Sequence, residues 1–169
     1  MDLKKRRSKM IPVLFVTYSV LLVWIILFKL SFSAAEWKAM TGVRSINFIP
    51  FYYKDAVGFH FAEVMKNVII FIPFGLYLKM MDVENKNAVL YGLVFSFALE
   101  LCQFVFKMGA SDITDILTNT AGTAAGVLFY LLLIKVFKKP DKINKVLGTL
   151  GFIATIAFIA LLLLLVTAN

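Results

Sequence analysis

The sequence predicts an all-α polytopic membrane protein with about five transmembrane helices and an interfacial or re-entrant segment on the outer side. The chain has 169 residues, of which 61% are hydrophobic, and its mean hydropathy is +0.87. Its apolar residues form separate runs, several of them close to the roughly 20 residues that a spanning helix needs. Its basic residues lie beside these runs, as topology signals do. The net charge of +8 therefore does not indicate a nucleic-acid partner.

The first apolar run predicts a transmembrane helix that follows a basic N-terminus, residues 1–10. Ile11–Leu30 is long enough to span a bilayer. A cleaved signal peptide is the alternative, because Ser31–Phe32–Ser33 places small residues at a suitable spacing. The apolar run is longer than the roughly 7–15 residues of a signal-peptide core, however. We therefore expect an uncleaved helix with its basic end in the cytoplasm.

The longest polar interval, Ser31–Lys66, predicts the interfacial segment. It is rich in aromatic residues, in Asn47–Tyr53 and again in Gly58–Phe61. Aromatic side chains mixed with Lys and Asp suit the lipid headgroup layer, where the segment is either re-entrant or lies on the surface. An anchoring belt with no substrate role is the alternative. The single histidine, His60, has no second His or Cys nearby, so no zinc site is predicted.

The second helix is predicted around Asn67–Met81, and the amphipathic approach to it indicates a start before Asn67. Pro73 lies in its middle and is expected to kink or break it. Broken spans recur at binding sites inside membranes. A simple packing kink is the alternative.

Three more helices are predicted after a short charged loop. They cover Ala88–Phe106, Ile113–Phe137 and residues 146–169, so residues 11–137 form one membrane domain, joined to the last helix by a basic cytoplasmic linker, residues 138–145. The short Lys107–Ser111 link predicts that the third and fourth helices are antiparallel neighbours. The positive-inside rule then places the N-terminus inside and the C-terminus outside.

Polar residues at helical spacing mark one face on each of these two neighbours. Residues three or four apart share a helix face. The third helix carries Ser96, Glu100, Gln103 and Lys107 at this spacing, and the fourth carries Asp112, Asp115, Asn119, Gly122 and Gly126. Ionisable side chains at membrane depth are costly, and they indicate a functional site by default. We expect the two faces to meet in the outer half of the membrane.

The chemistry assigned to these side chains follows from their types. Glu100 is the candidate general acid or base, with Asp112 and Asp115 as further catalytic residues or as ligands of a divalent cation. The candidate substrate-binding residues are Asn47, Asn67, Gln103, Lys107 and Asn119. Three structural alternatives stay open: an N-cap role for Asp112, interhelical hydrogen bonding by Gln103 and Asn119, and close packing at the two glycines.

Several motifs together resemble the VanZ-like family of bacterial integral membrane proteins, named for a teicoplanin-resistance protein. They cover roughly residues 10–135 and comprise Arg44–Phe51, Asn67 with Phe71–Gly75, Glu100–Gln103, Asp112–Asp115 and Asn119–Gly122 with Gly126. Many members carry an arginine shortly before the first aspartate, where this chain has Gly109–Ala110–Ser111; Lys107 could partly replace it. The resemblance implies a role in the cell envelope and, for some members, lower susceptibility to glycopeptides such as teicoplanin.

The sequence therefore predicts a protein of the bacterial cytoplasmic membrane with membrane lipids as partners. One hypothesis is an intramembrane enzyme that acts on a lipid-linked headgroup, such as that of an envelope precursor, with a divalent cation as a cofactor that the acids could hold. The other is a non-catalytic protein that binds a lipid or partner and alters antibiotic access. A transporter is disfavoured, because the chain shows no internal repeat. The substrate, the reaction and the oligomeric state are not predicted.

Overall fold

The computed structural model describes residues 10–28, 43–51 and 61–168, and within these ranges the chain is predominantly helical. All five of the helices described there are long and apolar enough to cross a membrane, which confirms the predicted fold class. They are α1 (Met10–Phe28), α2 (Phe61–Met80), α3 (Asn85–Phe106), α4 (Ile113–Phe137) and α5 (Pro140–Ala168). Two short strands were not predicted: β1 (Val43–Asn47) and β2 (Met108–Asp112).

The helix bounds differ from the sequence prediction in two places. Helix α2 starts at Phe61, which confirms the early start. Of the expected kink or break at Pro73, the break is wrong, because α2 continues through Pro73; the kink stays a prediction. Proline removes one bond to the carbonyl of Ile69, and packing against neighbouring helices lets a membrane helix tolerate that loss. Helix α5 begins at Pro140, so most of the segment expected to be a linker is helical.

The link between α3 and α4 is a strand rather than a simple turn. Strands β1 and β2 pair in parallel, with Asn47 opposite Asp112 and Val43 opposite Met108. Helix α3 ends where Lys107 adopts a left-handed conformation with φ of 55°. The two connecting segments thus pair some of their backbone N–H and C=O groups with each other, which lowers the cost of placing them against membrane helices. The predicted interfacial segment, Ser31–Lys66, lies largely outside the described residues, as do His60 and residues 1–9. Its described parts are β1 with the turn that follows and residues 61–66, which belong to α2.

Helices α2 and α4 approach each other backbone to backbone. A Cβ added at Gly122 would overlap the carbonyl oxygen of Val68, and one added at Gly126 would overlap that of Ile72. This geometry supports the close-packing alternative for the two glycines. Seven fully or almost fully buried apolar side chains form the adjoining core among the described residues: Leu22, Phe71, Phe74, Leu78, Ala88, Leu99 and Val127.

The bundle has two chemically different ends. At one end, a buried apolar cluster joins the starts of α1 and α5 to the ends of α2 and α4; its members are Ile11, Leu14, Tyr77, Met80, Tyr130 and Ile143. We call this the lysine-rich end, because the basic run of residues 135–145 lies there. The other, the sheet end, carries both strands, the end of α3 and the start of α4.

Candidate functional site

Asp112 caps the N-terminus of α4 at the sheet end. Its Oδ1 accepts a hydrogen bond from the backbone N–H of Thr114 at 2.8 Å, and its backbone is extended with φ of −124°. Its Oδ2 accepts a second hydrogen bond, at 3.1 Å, from Nδ2 of Asn47. Asp112 is thus an N-cap, as the structural alternative held, and both carboxylate oxygens have protein donors. Asn47 in turn accepts from the backbone N–H of Ile49 at 3.1 Å, which turns the chain after β1.

Glu100 ties the last part of α3 to β2. The side chain is only 4% exposed, and its Oε2 accepts a hydrogen bond from the backbone N–H of Asp112 at 2.9 Å. One residue earlier, the hydroxyl of Ser111 donates to the backbone carbonyl of Glu100 at 2.8 Å. A buried carboxylate is tolerated where it accepts such bonds. It also lies at the positive end of the α4 dipole.

Asp115 joins α4 to α2. Its Oδ1 accepts a hydrogen bond of 2.7 Å from Nδ2 of Asn67, and both side chains are half-buried. Asp115 lies in the first turn of α4, where a negative charge complements the helix dipole. The structure therefore brings Asn67 to the start of α4.

Asn119 and Gln103 make interhelical hydrogen bonds. Nδ2 of Asn119 donates to the hydroxyl of Ser96 at 2.9 Å, which confirms that the polar faces of α3 and α4 meet. Nε2 of Gln103 instead donates to the carbonyl of Ile26 in α1 at 3.1 Å. The side-chain oxygens of Gln103 and Asn119 are buried and have no hydrogen-bond partner among the described residues. Both amides act as links between helices, as the structural alternative for them held.

Lys107 and Thr114 differ from the sequence expectation in opposite ways. The side chain of Lys107 is exposed, and its backbone ends α3, so the structure shows a capping position but no contact with the acids. Thr114 was not predicted. It is 1% exposed, and its hydroxyl oxygen accepts a hydrogen bond from the backbone N–H of Phe51 at 2.9 Å. Its position two residues after Asp112, a candidate N-cap, is the feature of the sequence that could have identified Thr114 as part of the site.

An apolar loop stands beside these polar side chains. Phe48 is 73% exposed and Ile49 is 59% exposed, and Pro50 and the exposed Phe51 follow them. The bond from Phe51 to Thr114 anchors the loop on α4. Exposed aromatic and aliphatic side chains next to polar groups are typical of the membrane–water interface.

We use the name sheet-end cluster for Asn47, Asn67, Glu100, Asp112, Thr114 and Asp115. Its acids accept hydrogen bonds from backbone and amide donors, and two of them lie at the first turn of one helix. Within the described residues, no three His, Cys, Asp or Glu side chains are grouped as metal ligands. A cation held by Asp112 and Asp115 would have to displace existing hydrogen-bond donors and recruit other oxygen ligands.

The sheet-end cluster lies within the part of the chain that is similar to known proteins. The family model described as VanZ/LLP1 matches residues 15–135, a range that contains every member of the cluster. The chain is also similar to Protein VanZ of Enterococcus faecium, with 41% identity over 115 residues that cover 67% of this chain and 68% of that protein. No solved structure matches the chain significantly.

Proposed function

The chain belongs to the VanZ/LLP1 family, and on this premise we propose that it is a bacterial envelope protein that engages a lipid or lipid-linked headgroup through the sheet-end cluster. The observation that carries the proposal is the convergence of Asn67 and Asp115 beside Glu100 and Asp112, from α2, α3 and α4, at one end of a membrane bundle. Ionisable side chains inside a membrane bundle are costly, so they indicate a functional site by default.

The proposed location is the outer leaflet of the cytoplasmic membrane. The basic run of residues 135–145 lies at the opposite end of the bundle, and positively charged loops face the cytoplasm. This orientation places the N-terminus inside and the C-terminus outside. It also places the exposed Phe48 and Ile49 at the outer interface, where they would hold the cluster at headgroup depth.

The chemistry of the cluster favours a headgroup that offers hydrogen-bond donors. Ionised carboxylates are acceptors only, and the cluster is rich in them. A headgroup with an ammonium or hydroxyl group complements them better than a bare phosphate does. Lipid-linked envelope precursors and aminophospholipids both offer such donors. Binding by the protein would change how much of these lipids is available in the membrane. This change would lower susceptibility to a glycopeptide such as teicoplanin.

Binding is favoured over turnover by the way the acids are used. Asp112 uses both oxygens and Glu100 uses one in bonds that shape the site. Asp115 accepts a hydrogen bond from the side-chain amide of Asn67, and because such a side chain can rotate away, Asp115 is the better candidate for exchanging its partner with a ligand. In the catalytic alternative, Glu100 and Asp115 would provide acid–base chemistry on the bound headgroup.

Native mass spectrometry of the purified protein tests the proposal. The wild-type protein should retain phosphatidylethanolamine more strongly than phosphatidylcholine, because a quaternary ammonium group donates no hydrogen bond. Asp115→Asn should weaken this preference, whereas Asp82→Asn at the exposed loop of the other end should not. Equal lipid retention by the wild type and Asp115→Asn would overturn the proposal. Lipid turnover by the wild type, lost in both Asp115→Asn and Glu100→Gln, would establish the catalytic alternative.

A further inference from the structure

A groove runs between α4 and α5 at the lysine-rich end, far along both helices from the sheet-end cluster. Its volume is about 470 Å³, within the roughly 300–1,000 Å³ range of small-molecule sites. The walls are apolar and come from both helices, and two lysines stand at the mouth. The lining includes Phe129, Leu133, Phe137, Val146, Lys139 and Lys142.

A defined junction links the two helices that form the groove. Lys138 ends α4 in a left-handed conformation with φ of 51°, and its backbone N–H donates to the carbonyl of Ile134 at 2.9 Å. The hydroxyl of Tyr130 donates to Oδ1 of Asn144 at 2.9 Å, which ties α4 to α5. Ile143 lines the groove and is only 7% exposed, so it forms a closed floor. The end of the groove at the helix junction is thus fixed by these two hydrogen bonds.

We propose that this groove binds an anionic phospholipid, with an acyl chain against Leu133 and Val146 and the phosphate at Lys139 and Lys142. The charge of the segment beside the groove selects the occupant. The segment from Lys135 to Lys145 carries five lysines and a single acid, Asp141, so its field is strongly positive despite that carboxylate. An apolar groove that faces the bilayer takes lipid tails, and basic pockets between membrane helices select anionic headgroups.

The site differs from the proposed headgroup site in chemistry as well as in place. The sheet-end cluster is acidic and rich in acceptors, whereas this groove offers ammonium donors and hydrocarbon walls. In the proposed orientation the groove opens to the cytoplasmic leaflet. In either leaflet, the lysines at its mouth would meet an anionic headgroup. Lipid binding in the groove therefore does not depend on the function of the sheet-end cluster.

Titration of the delipidated protein in detergent with dioleoyl phosphatidylglycerol or dioleoyl phosphatidylcholine, read by native mass spectrometry, tests the site. The wild type should bind phosphatidylglycerol more tightly. Because a lysine near an anionic headgroup contributes about a fivefold gain in affinity, Lys139→Gln with Lys142→Gln should weaken phosphatidylglycerol binding by about 25-fold. The matched control, Lys135→Gln with Lys145→Gln, removes the same charge from the same segment at residues outside the groove lining.

A second pair of variants tests the hydrocarbon part of the groove. Val146→Phe adds bulk to the wall without changing charge and should weaken phosphatidylglycerol binding. Val136→Phe makes the same change on an exposed face that does not line the groove and should leave binding unchanged. Equal effects of the groove and control lysine pairs would show diffuse charge attraction and overturn the site. Equal affinity of the wild type for the two lipids would overturn the selection of an anionic headgroup.

Discussion

The carboxylate of Glu100 accepts a hydrogen bond from the backbone N–H of Asp112, the residue that itself caps α4, at 2.9 Å. One buried acid therefore positions the residue that begins the next helix. The bond joins the end of α3 to β2 and, through Asp112, to the first turn of α4. The geometry of the sheet-end cluster thus depends on Glu100, whatever further chemistry this side chain performs.

Removing the charge of Glu100 tests this dependence. Glu100→Gln keeps the size of the side chain and an acceptor for the Asp112 N–H, but a neutral acceptor bonds more weakly than a charged one. We expect a loss of about 1–2 kcal/mol in stability and loss of function at normal abundance. Thermal aggregation in detergent and teicoplanin susceptibility, in a strain where the wild-type gene changes it, are the measurements. Full function of Glu100→Gln would show that the protein does not need the charge of Glu100.

Asp112 should be needed for its capping oxygen more than for its charge. Asp112→Ala removes the N-cap, which costs about 0.5–2 kcal/mol, and also removes the bond to Asn47. Asp112→Asn keeps a capping oxygen but turns its amide NH2 toward Nδ2 of Asn47, so its stability should lie between those of Asp112→Ala and the wild type. The comparison is made by thermal unfolding of both purified variants. If Asp112→Asn folds normally but is inactive, the charge of Asp112 has a direct role, such as holding a cation.

The bond between Asn67 and Asp115 should couple α2 to α4 energetically. Asn67→Ala, Asp115→Ala and the double variant form a thermodynamic cycle. Interhelical polar pairs in membranes give coupling energies of about 0.6 kcal/mol on average and at most about 1.7 kcal/mol, and we expect a value in the upper half of this range because the bond is 2.7 Å. Additive effects of the two single changes would mean that the bond does not stabilise the bundle.

The contact between α2 and α4 should be intolerant of side chains at its glycines. Gly126→Ala places a Cβ against the carbonyl of Ile72, and backbone atoms cannot move aside without separating the helices. We expect destabilisation of about 1–3 kcal/mol, as for overpacked cores, measured by thermal aggregation in detergent. Gly148→Ala is the control, because its Cβ would meet mainly the flexible end of Met10. Equal stability of the two variants would contradict this close approach.

The orientation is tested by cysteine accessibility in intact cells. In a Cys102→Ala background, Lys142→Cys should react only after the membrane is made permeable, because the proposed orientation places the basic segment in the cytoplasm. Ile49→Cys, in the exposed loop of the sheet end, should react from outside. The opposite pattern would move the sheet-end cluster to the cytoplasmic leaflet and remove the outer-leaflet part of the proposed function.

Much of the candidate site could be predicted from residue types and spacing. The helical spacing of Ser96 and Asn119 predicted that these faces meet, and the hydrogen bond between them confirms it. The same reasoning placed Gln103 with Glu100 because they are three residues apart, but the Gln103 amide bonds to α1. Spacing identifies a shared face only approximately, and a third helix packed beside that face can take one of its members.

The sequence by itself determined that this is an all-α membrane protein and marked the acids within its apolar runs, because the bilayer requires long apolar runs and makes each polar exception conspicuous. Only the tertiary structure decided how those acids are used. The pairing of β1 with β2 depends on segments about 60 residues apart, and backbone pairing over that distance leaves no periodic pattern. That pairing brings Asn47 to Asp112. The meeting of Asn67 and Asp115 accompanies the close contact of α2 with α4, and the sequence does not specify this contact because packing, not hydrophobicity, determines which membrane helices are neighbours.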